Sequence, residues 1–191
     1  MVQLLRAQSR ADTPDEILAQ GAADDNHAFT ELYRRYLGPV HRYMRYQAPH
    51  EEAEDLTAQV FMQAYRGASQ FRGEGASYRA WLFRIAHNTL ATYRRVSRRT
   101  PIPLSEIPDQ LDDAPDPAAG AADRELRLIV RSIVDELPAA DRELIELRYV
   151  EGLAPQEIAH VTGASDGAIR VRIHRLLKRL RPRLVERGVR L

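Results

Sequence analysis

Residues 71–99 read FRGEGASYRAWLFRIAHNTLATYRRVSRR. From Ser77 onward the apolar residues recur at helical spacing, and Trp81, Leu82, Ile85, Ala86, Thr89, Tyr93 and Val96 fall in one stripe at ~100° per residue. Arg84, His87, Ala91, Arg94, Arg95 and Arg98 lie opposite, with Asn88 at the border. Gly73-Glu74-Gly75 forms a loop ahead of the helix, and Ser77 is placed to cap its first turn. Seven positive charges stand against one negative between Arg72 and Thr100, so the stripe should face a core and the basic side an anion such as nucleic acid. A solvated helix face explains an isolated basic run equally well. The pattern recurs at the other end of the chain, however.

The net charge of the 191 residues is only +1, but its distribution is uneven. Arg72–Thr100 carries +6 and Val161–Leu191 carries +7, and between them Pro101–Leu126 carries −6 and Arg127–His160 −3. Two basic blocks held apart by acidic ones imply two separate anion contacts. With no cysteine there is no disulfide, thiolate metal site or cysteine nucleophile, and nothing suggests a cofactor. No apolar run approaches ~18 residues and no signal-peptide pattern opens the chain, so a cytoplasmic protein without membrane insertion is expected.

Outward from the basic helix, residues 1–23 read as a loose polar extension with room for one short helix. From the possible caps at Asp24, Asp25 and Asn26, Phe29, Leu32, Tyr33, Tyr36, Val40 and Tyr43 mark a helix to about Gln47, which Pro39 should kink or weaken. Pro49 precedes a second helix with Ala53, Leu56, Val60, Phe61 and Ala64 inward, and Glu51, Glu52, Glu54 and Asp55 suit its N-terminal dipole. Residues 24–99 thus form an all-α domain. Residues 100–121 hold five of the eleven prolines together with Asp109, Asp112, Asp113 and Asp116, and read as an extended acidic linker.

Helical periodicity resumes for residues 122–191. One helix carries Leu126, Ile129, Val130 and Ile133 and breaks at Pro138, and a second runs from about Asp141 to Val150. A short helix opens at Pro155, Gly163 makes a turn, Ser165 caps, and a long helix follows from Asp166 to about Arg181. This is helix-turn-helix spacing. On the last helix Ile169, Ile173, Leu176, Leu177 and Leu180 form the inner stripe, while Gly167, Val171, His174, Arg175 and Lys178 point outward between Arg170 and Arg172. A recognition helix in the major groove needs that division of faces.

Both blocks together resemble the extracytoplasmic-function (ECF) class of bacterial RNA polymerase sigma factors. Asp55–Gly67, DLTAQVFMQAYRG, is similar to the family's polymerase-binding helix, and Trp81–Asn88, WLFRIAHN, to its WL-x-R-I-A-x-N signature. Glu136-Leu137-Pro138 through Arg181 resembles its domain for the upstream promoter element. The chain departs from the pattern at Ala154, where a hydroxyl cap is usual, and at Gln59, Thr92 and Val171.

The resemblance implies that two all-α domains bind polymerase core (its beta and beta-prime subunits) and promoter DNA. It implies polymerase contacts at Asp55, Leu56, Gln59, Val60 and Gln63. Upstream-element contacts are expected at Ser165, Arg170, Val171, Arg172, His174, Arg175, Lys178 and Arg179. Among these, arginine suits guanine and valine a thymine methyl, while Arg172, Lys178 and Arg179 suit phosphates. In the melting domain a flipped downstream-element base would be held by Phe71, Arg72, Gly73 and Ser77 with Asn88, and phosphates by Arg84, Arg94, Arg95 and Arg98. Trp81 lies on the apolar stripe and is expected to pack in the core. The linker carboxylates would mimic nucleic acid inside the polymerase. An anti-sigma protein, usual for the family, would have to cover both basic surfaces.

An enzyme reading fares poorly: His50-Glu51-Glu52 begins like a zinc-binding helix, but position 54 is Glu rather than the second His. A stand-alone helix-turn-helix regulator has no use for a second basic helix with its own glycine loop. A pure protein adaptor leaves both basic blocks unexplained.

Overall fold

The computed structural model describes residues 13–73, 75–97 and 121–189. Among them every regular element is helical. The first domain comprises α1 (Asp15–Gly21), α2 (Asn26–Gln47), α3 (His50–Arg66), a 3-10 turn (Ala68–Gln70) and α4 (Tyr78–Ser97). The second comprises α5 (Ala121–Asp135), α6 (Ala139–Ile145) continuing into a π-helical turn (Glu146–Val150), α7 (Pro155–Thr162) and α8 (Asp166–Glu186).

Local chemistry explains most element boundaries. Asp25 caps α2 by accepting the His27 N–H at 2.8 Å, and Ser77 caps α4 by accepting the Ala80 N–H at 3.1 Å. Pro49, Pro138 and Pro155 stand at helix starts, where a missing N–H costs nothing. Pro39 does not end α2, which runs through it to Gln47, and α8 likewise passes Pro182 to end at Glu186 rather than Arg181. Gly163 ends α7 at φ +73°, a left-handed position that a side chain occupies only under strain.

The first domain's core joins Leu32, Val40 and Met44 of α2, Ala53, Leu56, Val60 and Ala64 of α3, and Leu82, Phe83, Ala86 and Leu90 of α4. At the head of α4, Phe71, Tyr78 and Trp81 form a ring cluster with centroids 5.5–5.6 Å apart, and Tyr36 joins through Tyr78. Val96, placed on the inner stripe by its spacing, is 79 % exposed, because α4 projects past its neighbours at that end. The described part of the N-terminal extension is docked, not loose. Leu18, Ala19 and Ala22 are buried, and Asp15 accepts from the Arg35 guanidinium at 2.5 Å and from the Tyr36 hydroxyl.

In the second domain, α7 and α8 cross over buried Ile158, Ala159, Val161, Ile169 and Leu176 in a helix-turn-helix. Leu177, expected inward, is 42 % exposed. The π turn closes with Glu151 N–H donating to Glu146 O five residues back at 2.9 Å. It turns Glu146 and Glu151 away from solvent; both are buried.

The two domains also meet directly. Helix α7 packs along α4, and side chains of α6 and the π turn reach α2. By sequence the domains are joined through the linker alone, because glutamates in a polar segment carry no signal that they will be buried against another domain. Residues 98–120, with Arg98 and the linker carboxylates, lie outside the described residues.

Candidate nucleic-acid interface

Helix α8 presents its polar face to solvent along its length. Ser165 caps it through the Ala168 N–H at 3.2 Å, and Arg170, Val171, Arg172, His174, Arg175, Lys178 and Arg179 are all exposed. Three of the arginines already hold carboxylates. Arg170 bonds Asp166 one turn back at 2.8 Å, while Arg172 and Arg179 reach Asp141 of α6 at 2.8 and 2.5 Å. Burial pushes the Asp141 carboxyl up, but the bonds from Arg179 and Arg172 outweigh it and hold the group below its ordinary value. His174, Arg175 and Lys178 form the part of the face to which no such bond is tied. The face thus combines side chains free to meet a ligand with arginines held to carboxylates of the scaffold.

The face of α4 divides differently. Arg84, Asn88 and Arg95 are exposed, whereas Arg94 is half-buried and bonds the Gln47 side chain. A pocket opens at the head of the helix, lined by Gln70, Phe71, Arg72, Gly73, Ala76 and Trp81 of the first domain and by His160 of α7. Three of the four loop residues named from the sequence, Phe71, Arg72 and Gly73, line it. Phe71 does so from within the core, being 7 % exposed, so it serves as a wall rather than a free contact. Ser77 is the cap of α4, and its hydroxyl donates to Glu157 of α7. Trp81, assigned to the core, both packs there and lines the pocket. Gly67 lies beneath its ring: a Cβ at that position would sit 3.4 Å from the indole edge.

On α3, Asp55, Gln59 and Gln63 are exposed, but Leu56 and Val60 are buried. These two belong to the core stripe, and as direct contacts for a partner they are withdrawn. The exposed apolar groups on that helix are Met62 and Tyr65, at 53 % and 52 %. Spacing assigned neither, since a single exposed apolar residue on a helix carries no periodic signal. His41 and His50 form no metal site, and no group of ligating side chains suited to a metal occurs among the described residues.

Two family models match the chain: Sigma-70 region 2 over residues 32–100 and Sigma-70 region 4 over residues 127–180. The chain is 30% identical over 182 residues to the ECF RNA polymerase sigma factor SigD of Mycobacterium tuberculosis, covering 91% of this chain and 85% of that protein. The chain belongs to the ECF sigma factors. This sigma factor is also 32% identical over 172 residues to the ECF RNA polymerase sigma-E factor of Escherichia coli, covering 84% of this chain and 89% of that protein. Among solved structures, CnrH in complex with the cytosolic domain of CnrY matches with TM-score 0.61 and 26% identity over 90% of this chain and 95% of that one. The sigma factor RpoE of Bartonella quintana, solved with the anti-sigma factor NepR, shares the fold at TM-score 0.61 and 22% identity, covering 82% of this chain and 96% of that one. In the sigma factor, region 2 thus contains the pocketed helix α4 and region 4 the helix-turn-helix. No described helix is long and apolar enough to cross a membrane.

Proposed function

We propose that this sigma factor binds RNA polymerase core, carries it to promoters in the cytoplasm, and opens the duplex there without catalysing any reaction itself. The observation that carries the reading is the pairing, in one chain, of an exposed basic recognition helix with a second helix whose N-terminus borders an aromatic pocket. In this reading His174 and Arg175, with Val171, address base edges of the upstream element in the major groove. Lys178 and the Asp141-fixed Arg172 and Arg179 meet phosphates. The pocket at Arg72, Gly73 and Trp81 receives a base extruded from the non-template strand, and Arg84, Asn88 and Arg95 track the adjoining backbone. Unstacking a base costs a few kcal/mol, which a preformed aromatic wall and phosphate contacts offset.

The exposed face of α3, with Asp55, Gln59, Gln63, Met62 and Tyr65, is the proposed polymerase contact. An anti-sigma protein is the proposed inhibitory partner; its task would be to cover both basic surfaces. Reconstitution tests the reading. Core polymerase lacking any sigma subunit should start transcripts at a defined site when this chain is added. A chain that binds promoter DNA tightly by itself and leaves core inactive is a stand-alone regulator instead.

A further inference from the structure

Asp141 differs from the other carboxylates that hold arginines of α8. Its side chain is 12 % exposed, whereas Asp166, which holds Arg170, is 42 % exposed and Glu136, which holds Arg183 and Arg187, 52 %. Ion pairs open to water order their partners weakly, while a carboxylate screened from water fixes them. Both Asp141 oxygens are in use. Oδ1 accepts from Arg172 Nε at 2.9 Å and meets its Nη2 at 2.8 Å, and Oδ2 accepts from Arg179 Nη2 at 2.5 Å. The two arginines stand seven residues apart, about two turns, and so leave α8 on one side. Asp141 itself is anchored: its N–H donates to Pro138 O at 2.8 Å, and Leu144, one turn on, is buried in the core. We infer that Asp141 is a positioning residue for sequence selection, which sets Arg172 and Arg179 from α6 as a rigid pair of phosphate contacts and so seats α8 in the groove in one register.

Asp141 meets no DNA in this arrangement; it acts through the arginines. Both guanidiniums are about half exposed, and each has five N–H groups, so donors remain for a phosphate. An arginine ordered on folding loses little further rotamer freedom when it meets DNA. Phosphate contacts carry no sequence information but fix how a helix lies on the duplex. His174 and Arg175 lie between the held pair, so a rigid pair brings them to base edges in one register only. Unheld arginines would follow phosphates in any register. The carboxylate also removes one positive charge from the face, which trims its sequence-independent attraction to DNA.

The inference rests on the reading of α8 as the recognition helix, and the test separates the two. Titrations of the full chain at several salt concentrations compare the duplex that wild type selects from a random pool with the unselected pool. Asp141→Asn should lower the preference for the selected duplex at least tenfold. Its binding to the unselected pool should tighten, with a salt-dependence slope steeper by ~0.9. Damage to the fold would weaken binding to both and lower the melting temperature, and cannot steepen that slope. In a chain carrying Arg172→Gln and Arg179→Gln, adding Asp141→Asn should change the preference less than twofold. An undiminished preference in Asp141→Asn, an equal weakening on both duplexes, or the same loss in the double-glutamine background overturns the positioning role. A wild type that prefers no duplex removes the recognition reading and the inference with it.

Discussion

The Glu143 carboxylate accepts the Tyr43 hydroxyl and lies 2.6 Å from His87 Nδ1, so one side chain of region 4 ties α2 and α4 of region 2 together. Glu143 is 6 % exposed and Tyr43 wholly buried, so cutting one partner strands the other in a dry contact. Glu143→Ala should therefore cost ~3 kcal/mol and Tyr43→Phe ~1–2 kcal/mol. The double variant should lose clearly less than the sum, by at least ~0.5 kcal/mol. Chemical denaturation of the full chain with the four proteins of that cycle checks it, and strict additivity would mean that the bond carries nothing.

The same contact should respond to pH. The bond to Glu143 raises the His87 imidazole above its ordinary 6.5, against burial and Arg94, so its contribution is whole below 6.5 and fades as pH climbs through the raised value. Burial foremost, with Glu151 and Glu143 adding, holds the Glu146 carboxyl well above its ordinary 4.5 despite the Gln47 bond and Arg42. Its contribution is likewise full at low pH and lost on the way up. Glu143 acts with the opposite sign: burial pushes it up, but His87 and Tyr43 outweigh that, so its contribution fails only as pH falls below 4.5. Above 6.5 for His87 and above 4.5 for Glu146 both contributions fade, so interdomain contact should loosen as pH rises. Chemical denaturation of the full chain should show stability falling as pH rises above 6.5 in wild type, and a smaller total fall from pH 4.5 upward in Glu146→Gln, with the His87 part remaining. A gain in stability as pH rises above 6.5 would contradict the signs assigned to His87 and Glu146.

On α8 the proposed division between base-reading and phosphate-meeting side chains predicts different losses. Arg175→Ala should cost ~1–3 kcal/mol against the duplex that wild type selects from a random pool, and should relax preference at one base pair. Lys178→Ala should weaken all duplexes alike and lower the salt-dependence slope by ~0.9. Binding titrations at several salt concentrations separate the two. Equal effects on specificity and slope would remove the division.

Ala154 offers a stabilising change. It holds the cap position of α7 without a side-chain bond, and only half of a capping arrangement exists, with Glu157 accepting the Ala154 N–H at 2.8 Å. Ala154→Ser should add ~1 kcal/mol and raise the melting temperature of region 4 without altering duplex binding. Thermal unfolding that shows no gain would mean that Pro155 already supplies what the cap would add.

Local signals made much of this molecule legible from its sequence. Proline and serine positions marked the starts of α3, α4, α7 and α8, and 3.6-residue spacing separated Leu56, Val60 and Ile169 from the charged faces. What escaped was long-range. Phe83 stands off the stripe of α4 yet is fully buried, its ring against Tyr43, because α4 is covered on more sides than a surface helix. Glu143, Glu146 and Glu151 look like solvated charges in any window of sequence, and only their Tyr43, Gln47 and Arg42 partners, roughly a hundred residues away, reveal them as interface. The turn that buries Glu146 and Glu151 is π-helical, a geometry that no hydrophobic period announces.

Promoter opening by reconstituted holoenzyme tests the two-headed reading most directly. Permanganate footprinting of unpaired thymines should show a melted segment with wild-type chain. Arg175→Ala should reduce occupancy and opening together. Asn88→Ala with Arg84→Ala should leave the promoter occupied but closed. If that region 2 variant opens DNA as well as wild type does, or if the region 4 variant spares occupancy, then the two helices do not divide recognition from melting.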